Sequence, residues 1–246
     1  MPHSKNRILS RVSRADFNTL EPHLRVVELD QGRVIADSRR RLHHVYFPHG
    51  GILSSIVELK SGLAIETGMI GNDGVFGALQ AIDDRLSLNK VLVQVAGRSS
   101  VVDATVVKHL AESSADFRSL MIKYERFFLG QVQQTTACNA LHSIEERTCK
   151  WLVRMHDLVG GDLPLTQEFL AQMMGVQRTS VSGVASRLQE EGLIEYHRGK
   201  VRIVSIDGVE RRACECCEVV REQYADIFGK VAVEAIADGP GLVRMV

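Results

Sequence analysis

The sequence of 246 residues has no apolar run approaching the length of a membrane span, roughly 18 residues. Its first stretch, MPHSKNRILSRVSRADF, is too polar for a secretory signal. These two absences predict a cytoplasmic protein with no membrane partner. Charge of one sign is also missing. Thirty basic residues balance thirty acidic ones, so no bulk basicity announces nucleic acid or an anionic surface, and any attraction must be local. Cysteine is sparse and odd in number, five in all. Without a secretory signal that favours reduced thiols over a disulfide framework. Catalytic signatures are absent too: no Walker loop, no G-x-S-x-G elbow, no H-E-x-x-H and no Rossmann fingerprint. Glu145 and Glu146 are adjacent on a helix, where neighbours point apart, and Arg147 or Lys150 can neutralise them. No enzyme is expected.

What is present is an ordinary globular composition, 45% hydrophobic and 24% charged, at a length that suits two domains. Residues 7 to 25 carry a short helical pattern. From Val26 to about Val102 the period shortens into β-rich runs separated by Asp30-Gln31-Gly32, His49-Gly50-Gly51, Ser61-Gly62 and Asn72-Asp73-Gly74. Many short strands at this spacing predict an antiparallel β-roll, jelly-roll-like, whose interior commonly holds a small ligand. From Ala104 to about Val159 the pattern is helical. Phe117, Leu120, Met121, Tyr124, Phe127, Phe128 and Val132 form a seam that needs a cover. We assign that cover to a twin helix in a homodimer, the competing cover being the chain's own barrel.

The stretch from Leu165 to Val204 is the most informative. Thr166 caps a helix whose stripe is Phe169, Leu170, Met173 and Met174, and Gly175 supplies the positive φ of a tight corner. A second helix buries Val181, Val184, Ala185 and Leu188, while Gln177, Arg178, Thr179, Ser180 and Ser182 start its polar face. After Gly192, apolar and polar residues alternate around a glycine turn with a basic tip, Arg198 and Lys200, as a wing would. A helix of this kind fits the major groove of double-stranded DNA. Arg178 would read a base beside Gln177, Thr179, Ser180 and Ser182, with Thr166, Gln167, Arg198 and Lys200 on phosphates. Five basic residues (Arg178, Arg187, Arg198, Lys200, Arg202) against four acidic (Glu168, Glu190, Glu191, Glu195) leave the stretch nearly neutral.

In this order, sheet roll, long helix and winged helix, the chain resembles the Crp/Fnr family of bacterial transcription regulators over about residues 20 to 205. The similarity is sharpest at Leu165-Thr166, Leu170-Ala171, Gly175, Arg178, Val181-Ser182 and Glu190-Glu191-Gly192-Leu193-Ile194, and weaker at Gly71-Asn72-Asp73-Gly74-Val75-Phe76-Gly77. The resemblance implies an α+β fold: a β-roll sensor domain (1–115), a dimerisation helix (116–139) and a winged helix-turn-helix domain (140–246). It further implies a homodimer on a palindromic site, contact with RNA polymerase, and control by a small effector that the sequence does not identify. The chain departs from the family where Thr179 and Gly183 stand in place of an acidic and a second basic reading residue. It departs again where Ala78 and Lys90 replace the ribose and phosphate partners of cyclic-nucleotide binders. Tight cyclic AMP binding is therefore not expected. Gly183, costly inside a helix, is assigned to packing, close approach to DNA being the other account.

Two other sensing chemistries are weighed. Cys214, Cys216 and Cys217 form a C-x-C-C cluster on the last helix, read as Val209 to Val233, and Cys138 and Cys149 are taken to share one helix face. Four ligands with C-x-x-C spacing are not evident, so helix packing is the assignment and no metal or cofactor is expected. The alternatives are a metal- or thiol-based redox sensor at Cys214 to Cys217 and a dimeric interaction module that no longer reads DNA. Haem would need His43, His44 or Pro2, and these read as surface or turn residues.

Overall fold

The computed structural model describes residues 2–83 and 86–229; the glycine- and proline-bearing tail, read as loose, and the end of the helix assigned to Val209–Val233 lie outside these. Among the described residues, seven strands build the N-terminal roll: β1 (Arg25–Leu29), β2 (Val34–Ala36), β3 (His44–Pro48), β4 (Ile52–Glu58), β5 (Ala64–Ile70), β6 (Lys90–Val95) and β7 (Gly97–Asp103). They form two antiparallel sheets, ordered β1-β7-β3 and β2-β6-β4-β5. One core joins the sheets through Leu29, Phe47, Leu53, Ile70, Val91, Val93 and Val101. The second sheet is apolar on its other side as well, where Ile52, Ile56, Met69 and Val95 belong to a separate core with the C-terminal helices. That two-sided burial explains why burial does not alternate along β4, where even Ser54 and Ser55 are sealed, or along β6. A short helix α1 (Arg14–Leu20) precedes the roll, and α2 (Ala78–Asp83) lies within it.

Asn6, fully buried near the N-terminus, donates to the carbonyls of Pro48 and Gly74 and accepts from the amides of Ile8 and Leu9, so the leading segment is tied to the roll. Beside it, His3 and His49 both reach the hydroxyl of Ser100. Burial, with His3 adjacent, lowers the pKa of His49 to about 4.

The helical half opens with α3 (Ala104–Ser113) and α4 (Ala115–Leu141), the latter capped by Ser114 on Phe117 N. Phe117, Met121, Tyr124 and Phe127 recur on one face of α4, and each is at most 2% exposed. They enter the core of the roll and meet α9 (Cys216–Phe228), where the rings of Phe127 and Tyr224 stack edge-on at 5.1 Å. Leu120 and Phe128 pack half-buried against the same core, and Val132 is half-buried further along. The expected dimer seam is thus covered by the chain's own roll and last helix. A second copy cannot reach residues already sealed from water. The assignment of Phe117, Met121, Tyr124 and Phe127 to the dimer interface is therefore corrected, and Leu120, Phe128 and Val132 keep only part of their surface for a partner. Gln131 completes the contact by accepting the Met69 N–H on β5 at 2.7 Å, satisfying a donor that the strand's edge leaves free.

A capping box of Ser143 and Glu146 starts α5 (Ile144–Val159), which ends at Gly160 with φ 62°, the two orphan amides at its start being satisfied reciprocally. The helix break at His142-Ser143 separates Cys138 from Cys149, so the two do not share a helix face. Two contacts fasten α5 to the roll. Trp151 donates to the buried carboxyl of Glu66 at 2.8 Å, and Arg154 pairs with buried Asp73 in the glycine-rich turn at 2.8 Å. Burial raises the pKa of Glu66, while its bonds from Ser54 and Trp151 oppose that shift. Where one helix was expected at the C-terminus there are two, α8 (Ile206–Arg212) and α9, interrupted around Cys214. Cys214 therefore precedes the last helix. Among the described residues no helix is long and apolar enough to cross a membrane.

Candidate nucleic-acid interface

The C-terminal unit is built as its sequence predicts. In α6 (Gln167–Met174) the Thr166 hydroxyl accepts from Phe169 N, and Gly175 closes the helix in the left-handed region at φ 65°, ψ 37°, the conformation glycine adopts without penalty. After that corner runs α7 (Arg178–Glu190), whose Val181, Val184, Ala185 and Leu188 are buried. Arg147 steadies the corner from α5 by donating to the Met174 carbonyl at 2.6 Å. The wing comprises β9 (Ile194–His197) and β10 (Lys200–Ile203), with β8 (Leu163–Pro164) on the other side of β10. Its tip is a two-residue turn in which Arg198 (φ 48°) and Gly199 (φ 78°) both take positive φ. That is the conformation which matches hairpin twist. Tyr196 locks the wing to α6: its hydroxyl donates to the Leu165 carbonyl and accepts from Gln167 N, each at 3.0 Å.

On this frame the expected DNA-facing residues divide. Gln177, Arg178 and Thr179 stand exposed at the start of α7, whose N-terminal amides have no side-chain cap. Thr166, Arg198 and Lys200 are also exposed, and among the described residues no ion pair holds Arg198 or Lys200. Among the described residues Arg178 forms an ion pair only with Glu168, at 3.7 Å, and the side chains are 67% and 72% exposed. Such a surface pair is worth little and separates readily. Ser182 and Gln167 are occupied with each other. The Ser182 hydroxyl donates to Gln167 Oε1 at 2.6 Å and so braces the α6–α7 crossing. Ser180 is half-buried and turned toward α5, beside Ser143 and Arg187. Arg187 and Arg202 are engaged by Glu145 and Asp162, and the Asp162 bond holds the Arg202 pKa above its ordinary value.

Gly183 is the residue whose reading changes. A Cβ built there meets only the end of the Arg187 side chain, at 3.8 Å, an ordinary contact. Nothing in the described protein requires glycine at this position, so packing does not explain it. It lies one turn after Thr179 on the open face of α7.

The roll departs from the expected pocket. Apolar side chains, aliphatic ones with Phe47 among them, fill the interior of the roll. A cavity of about 1260 Å³ lies instead at the junction of the roll, α4, α5, α6 and α9, lined by Glu66, Asp73, Gln131, Arg147, Arg154 and Tyr224 among others. Several atoms around it, including Gln131 Nε2, Arg147 Nε and Tyr224 Oη, are buried without a hydrogen-bond partner. Ala78 is fully buried, and Lys90 is paired with Glu58 at 3.1 Å. His44 is engaged at Nε2 by Arg25 at 2.8 Å, and burial lowers its pKa.

All five cysteines are reduced and buried. Burial pushes Cys149 up to about 12 and Cys217 up to about 11, which makes both inert thiols. The other three are brought together. Cys138, Cys214 and Cys216 meet His142, with one ligand atom from each of the four within 4.8 Å of all the others. The assignment of these thiols to helix packing is corrected to that extent. His142 carried no signal in the sequence, because nothing in a linear pattern sets a residue at a helix end beside a loop some seventy positions later.

Comparison with known proteins agrees with this architecture. Residues 146–212 match the sequence model of the Crp-like helix-turn-helix domain. No curated protein matches the chain. Among solved structures, a Crp/Fnr-family regulator from Eubacterium rectale is similar with a TM-score of 0.66 at 16% identity, over 85% of this chain and 99% of that one. FixK2 from Bradyrhizobium japonicum gives 0.67 at 13%, over 78% and 98%. The c-di-GMP-responsive regulator CLP from Xanthomonas campestris gives 0.60 at 13%, over 78% and 99%. A Crp-like helix-turn-helix domain over residues 146–212 thus sits in a chain that shares the fold of solved Crp/Fnr-family regulators.

Proposed function

We propose that the protein is a sequence-specific DNA-binding transcription regulator acting as a homodimer on a palindromic site. The observation that carries this reading is the start of α7, where Gln177, Arg178 and Thr179 are exposed, uncapped and held by no strong protein contact, together with a wing tip, packed at the N-cap of α6, whose Arg198 and Lys200 are in no ion pair among the described residues. A helix N-terminus with free amides, a guanidinium and a hydroxyl suits base edges and phosphates at once. Arg178 and Thr179 read bases. Arg198, Lys200 and Thr166 hold phosphates, while Gln167 and Ser182 position the reading helix. The open surface at Gly183 lets the duplex approach the helix backbone.

The dimer forms through the face of α4 that the protomer leaves uncovered. Ile122 and Leu129 on that helix are 51% and 56% exposed. They stand one heptad apart, on a single stripe of the kind that pairs with a second helix. An effector, if the family's mode of control holds, acts at the junction cavity, because that space touches the roll, the dimer helix and the reading unit together. RNA polymerase is the partner that a regulator so bound would meet. Duplexes selected from a random pool should bind at least about 10³-fold more tightly than bulk DNA, with affinity falling steeply as salt rises. Equal affinity for selected and random duplexes would refute the reading.

A further inference from the structure

We infer that Cys138, His142, Cys214 and Cys216 form a closed tetrahedral site for one divalent zinc-type cation, which fastens the end of α4 to the loop between α8 and α9. The distances are those of such a site before its ligands contract onto an ion. Zinc bonds of about 2.3 Å to sulfur and roughly 2.0–2.1 Å to nitrogen set edges of about 3.8 Å between two sulfurs and about 3.5 Å between sulfur and nitrogen. Cys138 Sγ lies 3.5 Å from Cys214 Sγ, and Cys216 Sγ lies 3.5 Å from His142 Nδ1. Every ligand atom is within 4.8 Å of the other three. No side chain has to cross the fold to complete the coordination.

The surroundings match what such an ion needs. His142 presents Nδ1 to the cluster and Nε2 to the Glu215 carboxylate at 3.2 Å, so the carboxylate fixes the tautomer that leaves Nδ1 free to bind metal. Gln134 donates an amide hydrogen to Cys216 Sγ at 3.1 Å, a bond that opposes the upward shift burial imposes on that thiol. On binding, the three thiols lose their protons to solvent while His142 binds neutral. Three thiolates and one dication leave a net charge of −1, and the cations of Arg147 and Lys150 lie within electrostatic reach of Cys138 to offset it. Four protein ligands fill the tetrahedron, and Cys138, Cys214 and Cys216 are 1%, 5% and 0% exposed, so no coordination position is left for water even where Cys138 and Cys216 border the junction cavity. That makes the ion a staple and not a catalyst.

Its place gives the staple a consequence. His142 sits at the break between α4 and α5, and Cys214 and Cys216 flank the start of α9. Loading the ion therefore fixes the joint through which the long helix meets the C-terminal unit. The site stands on its own geometry and does not require that α7 read DNA.

The test is metal analysis of the reduced full-length protein, with titration of Co²⁺ and Zn²⁺ into chelator-treated protein. About one zinc per chain is expected, together with the ligand-field bands of tetrahedral, thiolate-rich cobalt and a higher melting temperature on zinc return. Because the titration uses the unaltered chain, it does not depend on any variant folding. Cys216→Ser and His142→Ala should each weaken zinc retention at least tenfold, whereas Cys149→Ser, at a buried thiol outside the cluster, should retain it. Reduced protein that neither carries nor takes up either ion would overturn the inference. So would iron with acid-labile sulfide in place of zinc, or zinc retention unchanged in both ligand variants.

Discussion

Two helices of this protein look functional for opposite reasons, and the structure treats them oppositely. On α4 the conspicuous residues are aromatic and apolar, and they are sealed within the protomer. On α7 they are short, polar and cationic, and they remain open to solvent. An apolar stripe states only that something covers it. The cover is free to come from the same chain, and here the roll and α9 provide it. A polar stripe at a helix N-terminus, uncapped and without firm protein partners, is left to an outside partner. The contrast teaches that burial demand identifies a contact face without naming the partner, whereas unmet polar valence points away from the protein.

The comparison can be broken most forcefully at Phe127. Phe127→Ala should destabilise the protomer by about 3–5 kcal/mol, as removal of a sealed aromatic does, read as a loss in chemical denaturation. A variant of unchanged stability that falls apart into monomers would restore the seam as the dimer interface. Next in size, Leu129→Glu should weaken self-association about 100-fold, roughly 3 kcal/mol, by placing an unpaired charge in the interface; sedimentation would detect it, while the melting of the protomer itself changes little. Dimers that persist would move the interface elsewhere.

On α7, Arg178→Ala should cost about 1–3 kcal/mol of specific DNA binding and relax preference at one base pair, while Lys200→Ala weakens all duplexes alike. Competition binding on single-substitution duplexes separates these outcomes, and uniform losses from both variants would collapse the division of labour. The smallest effect is the most pointed. Gly183→Ala should stabilise the fold by about 0.5–1 kcal/mol, since alanine favours helix. The space around it is open, yet the added methyl should weaken DNA binding if the duplex approaches that backbone. Stabilisation with unchanged DNA affinity would leave Gly183 without a role.

Local chemistry made much of this legible in advance. The strand runs, the Thr166 cap, the left-handed Gly175 and the wing around Gly199 each rest on preferences that operate within a few residues, and each stands where the pattern indicates. Gly183 was misassigned because a sequence shows the cost of a glycine in a helix without showing the space around it. Ser182 and Gln167 read as free polar groups, although their bond depends on the angle at which α6 crosses α7. The chain likewise carried no sign that the cavity lies outside the roll, since that follows from how α5 docks on its outer face and α9 packs on α4 and α5.

The amino-acid order by itself determined the kinds of element and their succession, because period, capping and turn propensity are short-range. Tertiary structure alone decided which surfaces stayed open and which distant side chains met. Whether Phe127 faces water and whether His142 meets Cys216 depend on packing between segments far apart in the chain. The free energy of that packing is shared among many contacts, and no short stretch of sequence contains it.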